Sequence, residues 1–137
     1  MVANDVVRVR ILTDDDIVTA RQEGRRLSTE LGFSSTDLTL IATAISEVAR
    51  NIRLYAGEGE VALNLVREGG RRGIEVVALD EGPGIADLER AMEDGFSSGG
   101  SFGLGLPGAR RLMDDFRIRS APGAGVTVTM TKWTDGA

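Results

Sequence analysis

The chain has 137 residues, enough to bury one ordinary core and too few for a catalytic domain joined to a large regulatory one, so a single domain over residues 1–137 is expected. Apolar residues at 42% and charged residues at 27% exclude disorder as the main state. The formal charge of −5, with dispersed basic residues, leaves no electrostatic footprint for nucleic acid or an anionic membrane, and the absence of cysteine and histidine removes disulfides, structural zinc, thiol nucleophiles and imidazole chemistry.

In chain order, "VVRVRIL" from Val6 to Leu12 alternates apolar and basic residues and predicts a half-buried strand. "DDDIVTARQEGRRLSTELG" follows as a helix. Its acidic start suits the amino-terminal dipole, Ile17, Ala20, Leu27 and Leu31 recur at helical spacing, Gly24 weakens it, and Gly32 ends it. The next helix opens at Ser34 with Asp37 in capping-box spacing and stops at Gly57. Ile41, Ile45, Val48, Ile52 and Tyr55 form its apolar stripe, with Arg50 and Arg53 pointing away and Glu47 and Asn51 together on one flank.

"EVALNLV" and "GIEVVALD" are two strands joined by a glycine-rich charged turn, which predicts a hairpin. Six of the 18 glycines then fall between Gly95 and Gly108, which marks a backbone-exposing loop. A short helix is expected from about Pro107 to Asp114, followed by a closing hairpin of "FRIRS" and "VTVTMTK". The order β-α-α-β-β-loop-α-β-β predicts an α+β sandwich with helices on one face of a mostly antiparallel sheet.

Three stretches can carry chemistry, and each also has a plain structural reading. Glu47 and Asn51, at i and i+4, are either the polar edge of a helix or a carboxylate that deprotonates a nucleophile beside an amide ligand for Mg²⁺. "ALDEGPGI" is either a turn or a strand-end Asp80 that accepts from an adenine amine, with Gly82 and Gly84 letting the purine approach. "SSGGSFGLGLPGARRL" is either a surface loop or an anion cradle of the Gly103 and Gly105 amides and the helix start at Pro107. Their succession along one chain supplies a partner for metal, base and phosphate in turn. Lys132 is the only lysine, so neither a GK[ST] phosphate loop nor a kinase-type strand lysine exists.

With these motifs the chain resembles the GHKL superfamily of ATP-binding domains over nearly its whole length. The texture "TAISEVARNIRLYAGEGEV…LDEGPGI…GSFGLGLPGARRLMDDF" is similar to the RsbT-type serine/threonine switch kinases of bacterial partner-switching and stressosome systems. That resemblance implies a Bergerat-type two-layer sandwich on a mostly antiparallel mixed sheet, with ATP and Mg²⁺ as cofactors. It implies Glu47 as catalytic base, Asn51 on Mg²⁺, Asp80 on adenine with Gly82, Gly84 and Ile85 beside it, and Gly99, Gly100, Ser101, Phe102, Gly103, Leu104, Gly105 and Leu106 around the phosphates. The closing turn departs from the family's Gly-x-Gly-Thr: it reads "GAGV", and Val126 lacks the hydroxyl that helps the adenine aspartate, while Thr127 should face the other way.

The partners implied are a STAS-domain antagonist as substrate and a PP2C-type phosphatase as activated target. The alternative within the superfamily is an anti-sigma factor kinase that sequesters a sigma factor directly. A histidine autokinase is excluded because the chain has no histidine. No long apolar run or basic-then-apolar start is present, so neither a membrane span nor a secretory segment is expected and the location expected is cytoplasmic.

Overall fold

The computed structural model describes residues 6–82, 105–120 and 123–134. Strand β1 (Val7–Ile11) leads into helices α1 (Asp15–Leu31) and α2 (Ser35–Tyr55). Strands β2 (Gly59–Glu68) and β3 (Arg71–Asp80) follow, then helix α3 (Gly105–Leu112) and strands β4 (Asp115–Ser120) and β5 (Val126–Trp133). Among the described residues the elements follow the expected α+β order. Pro107 lies in the first turn of α3, which begins two residues earlier than the sequence pattern indicates.

The sheet runs β1-β2-β3-β5-β4, and every described pairing is antiparallel. Strand parity sorts the side chains. Val9 and Ile11, Val61 and Leu63, Ile74, Val76 and Ala78, and Val126, Val128 and Met130 share one buried cluster with the inner faces of the helices. The same parity carries Asp80, two residues beyond Ala78, to the helix side of the sheet end.

Helix ends follow their local chemistry. The Ser34 side chain accepts from the Asp37 N–H at 3.1 Å and Gly32 closes α1 at φ 87°. Gly24 corrects a simple propensity reading. A Cβ there would lie 2.2 Å from Ile45 Cδ1, so this glycine lets α1 and α2 pack closely, a gain that offsets its poor helix propensity.

The turn between β1 and α1 is organised by Asp16, whose Oδ2 accepts from the N–H groups of Leu12 at 2.8 Å and Thr13 at 2.9 Å. Those two bonds, Leu12 first, hold its carboxyl below the ordinary value of 3.8. Because the folded-state value is the depressed one, the stabilisation is complete above the unfolded value and is lost as pH falls through the folded one. Asp16→Asn, which removes the titrating charge and keeps an acceptor, should therefore be less stable than the parent at neutral pH. The gap should narrow as pH drops below 3.8, read by urea unfolding at two pH values.

Candidate functional site

The middle of α2 faces the sheet end where β3 stops and β5 begins. A notch of about 10 Å³ at this junction is lined by Val48, Asn51, Ile52, Tyr55, Ala78, Asp80, Leu106, Val126 and Val128. This brings together Asn51, Asp80 and Leu106 from three separated stretches. Such a volume holds at most one water, so a planar base would enter only as the notch widens. A larger opening of about 580 Å³ adjoins Asp80 at the sheet end, beside Arg10, Arg53, Ala56, Glu58, Glu60, Glu81 and Gly82. Glu47 and Asn51 do not line it. The notch, where amide, carboxylate and apolar walls converge, is therefore the better candidate for recognition chemistry.

Asp80 is 8% exposed and its Oδ1 accepts two backbone bonds, from Gly82 N–H at 2.9 Å and Val126 N–H at 3.3 Å. Both bonds fall on one oxygen, leaving Oδ2 without a donor among the described residues. Such an oxygen suits an exocyclic amine. The chain is tight around this carboxylate. A Cβ on Gly125, whose φ is 78°, would sit 2.0 Å from the Asp80 carbonyl oxygen, and one on Gly82 would sit 2.5 Å from Ala56 Cβ. Gly82 thus seats the strand end against α2, whatever it also allows a ligand.

Val126 replaces the expected threonine contact in an unexpected way. Its main-chain N–H reaches Asp80 while its side chain, 8% exposed, walls the notch. Thr127 pairs with Leu79 and Arg119 on the opposite face, as strand parity requires. Main-chain donors of this kind are invisible to side-chain pattern reading.

Glu47 is buried at 7% exposure, deeper than the flank position its spacing indicates. Its Oε2 accepts from Arg50 Nη1 at 2.9 Å and its Oε1 from the Gly105 N–H at 3.0 Å. The first amide of α3 is thus satisfied by the carboxylate on α2, a favourable place for negative charge. In this conformation the Gly105 amide faces Glu47, so its expected role toward phosphate requires that bond to open. Asn51 carries a buried Nδ2 without a partner, a vacancy in hydrogen bonding that a bound group would fill.

Gly84, Ile85, Gly99, Gly100, Ser101, Phe102, Gly103 and Leu104 lie outside the described residues. Arg53 does not approach the notch. It bonds Asp14 Oδ1 at 3.2 Å, the Leu12 carbonyl at 2.8 Å and the Gly57 carbonyl, tying the end of α2 to the turn after β1. Sequence reasoning missed Arg50 and Gly125. Arg50 was legible from its i, i+3 spacing to Glu47. Gly125 is marked only by the "GAGV" turn before β5.

Known proteins resemble this chain in sequence and in fold. Residues 12–132 match the family model described as the histidine kinase-like ATPase domain. The chain is 51% identical over 130 residues to the serine/threonine-protein kinase RsbT of Bacillus subtilis (strain 168), covering 95% of this chain and 98% of the relative. An anti-sigma F factor of a Thermoanaerobacter species is 30% identical over 120 residues, 83% of this chain and 82% of that one. Among solved structures, the RsbU and RsbW domains of a Mycobacterium tuberculosis protein superpose with TM-score 0.59 at 23% identity, covering 93% of this chain and 32% of that one, a likeness of fold.

Proposed function

We propose that this chain, which belongs to the family of histidine kinase-like ATPase domains, is a serine/threonine-protein kinase of a partner-switching pathway that transfers the γ-phosphoryl group of ATP to a hydroxyl on a partner protein. The observation that carries the reading is the convergence of Asn51 and Asp80 on one buried notch, with Glu47 one helical turn before Asn51. Its relative RsbT bears the same activity in its name.

Asp80 would select adenine through Oδ2, with Val126, Leu106 and Ala78 supplying apolar contact. The donor set fits Mg²⁺ as a nucleotide-borne ion. Among the described residues no group of three acidic, histidine or cysteine side chains could cage a metal alone, and Mg²⁺ is commonly held by one or two protein ligands plus phosphates and water. The unpartnered Asn51 amide lines the notch, and rotation about its terminal bond would present the oxygen in place of the nitrogen. When bound, Mg²⁺ neutralises charge on the phosphates and helps hold them in line.

The transfer forms a bond between the acceptor oxygen and the γ-phosphorus, breaks the bond from that phosphorus to ADP, and moves the hydroxyl proton to the Glu47 carboxylate. Phosphoryl transfer has a loose transition state, so positioning and charge neutralisation supply most of the acceleration. Glu47 orients the hydroxyl and takes the proton late. The family resemblance assigns the phosphates to Gly99, Gly100, Ser101, Phe102, Gly103, Leu104, Leu106 and Gly105, the last once its amide leaves Glu47, and the base to Gly82, Gly84 and Ile85.

The substrate proposed is a STAS-domain antagonist. Its phosphorylation frees the kinase to bind and activate a PP2C-type phosphatase, all within the cytoplasm, by one domain spanning 1–137. A second reading, direct sequestration of a sigma factor, is favoured by the anti-sigma F relatives; the higher identity to RsbT ranks it second. Incubation with ATP and the STAS protein that co-purifies with the chain, followed by phosphosite mapping, should yield one phosphoserine or phosphothreonine on that protein. A sigma factor as the stoichiometric partner would replace this reading with the second one.

A further inference from the structure

The candidate base is held by two donors from different elements, and one of them is a cation. Arg50 Nη1 lies 2.9 Å from Glu47 Oε2, with the Glu47 side chain 9% exposed and that of Arg50 40% exposed. The guanidinium therefore touches the buried carboxylate from the solvent side. That bond uses one of five N–H donors in a planar fork suited to phosphate. Arg50 also immediately precedes Asn51 in α2, so the cation, the amide and the carboxylate occupy a single helical turn.

Two other described cations have different employment. Lys132 bonds the Leu112 carbonyl at 2.9 Å and lies 3.8 Å from Asp114, and Arg53 secures the turn after β1. A γ-phosphate beside Asn51 would bring concentrated negative charge to the one described guanidinium that contacts Glu47.

Resting on the kinase reading above, we infer that Arg50 couples the γ-phosphate to the base. Without nucleotide it orients Glu47 by the Oε2 bond; with ATP bound it turns to the γ-phosphoryl oxygens. Oε2 then faces the acceptor oxygen, and the charge developing on the transferring group is met by the same side chain. Arg50 gives up neither proton nor electrons. The acceptor's proton goes to Glu47, and ADP leaves as the new oxygen–phosphorus bond forms.

The experiment uses the full chain with Arg50→Gln and Arg50→Lys, Mg·ATP and Mg·ADP as probes in calorimetry, and intrinsic ATP hydrolysis under single-turnover conditions, so that no partner is needed. Arg50→Gln should weaken ATP binding about 10-fold with ADP binding unchanged, and slow hydrolysis by roughly 10- to 100-fold. Arg50→Lys should recover the preference for ATP over ADP through its charge, while hydrolysis stays slow because a point charge does not reproduce the fork. Equal weakening of ATP and ADP in Arg50→Gln would mean a purely structural arginine and overturn the inference. So would an unchanged ATP-to-ADP ratio and hydrolysis rate. A parent protein that binds neither nucleotide would instead remove the kinase reading, and this inference with it.

Discussion

Glu47→Gln should reduce phosphotransfer to the partner by roughly 10²- to 10⁴-fold, the range expected when a general base is lost, with nucleotide binding preserved. The contacts of Glu47 make the substitution clean. A glutamine oxygen can still accept the Gly105 N–H that Oε1 takes at 3.0 Å, so α3 keeps its tie to α2. The amide nitrogen would then face Arg50, whose ion pair with Glu47 is part-exposed and contributes little to stability once solvent screening is included. Melting temperature should therefore stay close to that of the parent while transfer collapses. Single-turnover transfer from labelled ATP measures the rate, and calorimetry checks binding in the same preparation. Wild-type transfer by Glu47→Gln would reduce the Glu47–Asn51 pair to a helix edge that clips α3 in place, and the catalytic scheme would have to be given up.

Local periodicity reveals much of this molecule because the forces that set it are local. Alternation in "VVRVRIL" and "GIEVVALD" identified strands, whereas the helix-side direction of Asp80 became visible only with the buried face that Ala78 shares. Ser34 and Gly32 marked helix ends because capping involves groups three or four residues apart. The sheet order was not legible in the same way. β5 lies between β3 and β4 because the chain returns from the sheet edge, and that choice depends on which faces bury together over long separations.

The site divides along the same line. The i, i+4 pairing of Glu47 with Asn51 is visible in one helical turn, but the depth of Glu47 is not, because its burial comes with α3, which starts 58 residues later and supplies the Gly105 amide. Gly24 carried a local cost and a distant benefit: its missing side chain admits Ile45. Val126 shows a different gap. Its side chain correctly argued against a threonine-like contact, yet its backbone donates to Asp80 at 3.3 Å. Every non-proline residue has such a donor, so only the pairing of β3 with β5 reveals which one is used.

Asp80→Asn isolates base recognition from folding more sharply than any other single change at this site. The two backbone bonds that anchor the strand end both reach Oδ1, from Gly82 at 2.9 Å and Val126 at 3.3 Å, and an asparagine oxygen can accept both. The remaining position becomes an NH₂ group. An adenine amine, itself a donor, would meet a donor there inside a notch walled by Val48, Ala78, Val126 and Val128, where water cannot readily make good the loss. ATP affinity should fall roughly 10²-fold, the equivalent of a buried hydrogen bond to a charged group. GTP should not suffer the same loss, because the guanine carbonyl at the corresponding place accepts from an amide, so preference for ATP should shrink or reverse. Calorimetric titration of parent and variant with both nucleotides, beside a thermal melt showing that the fold is retained, tests this. If Asp80→Asn binds ATP as the parent does, Oδ2 is not the adenine acceptor, and Asp80 serves only to join the ends of β3 and β5.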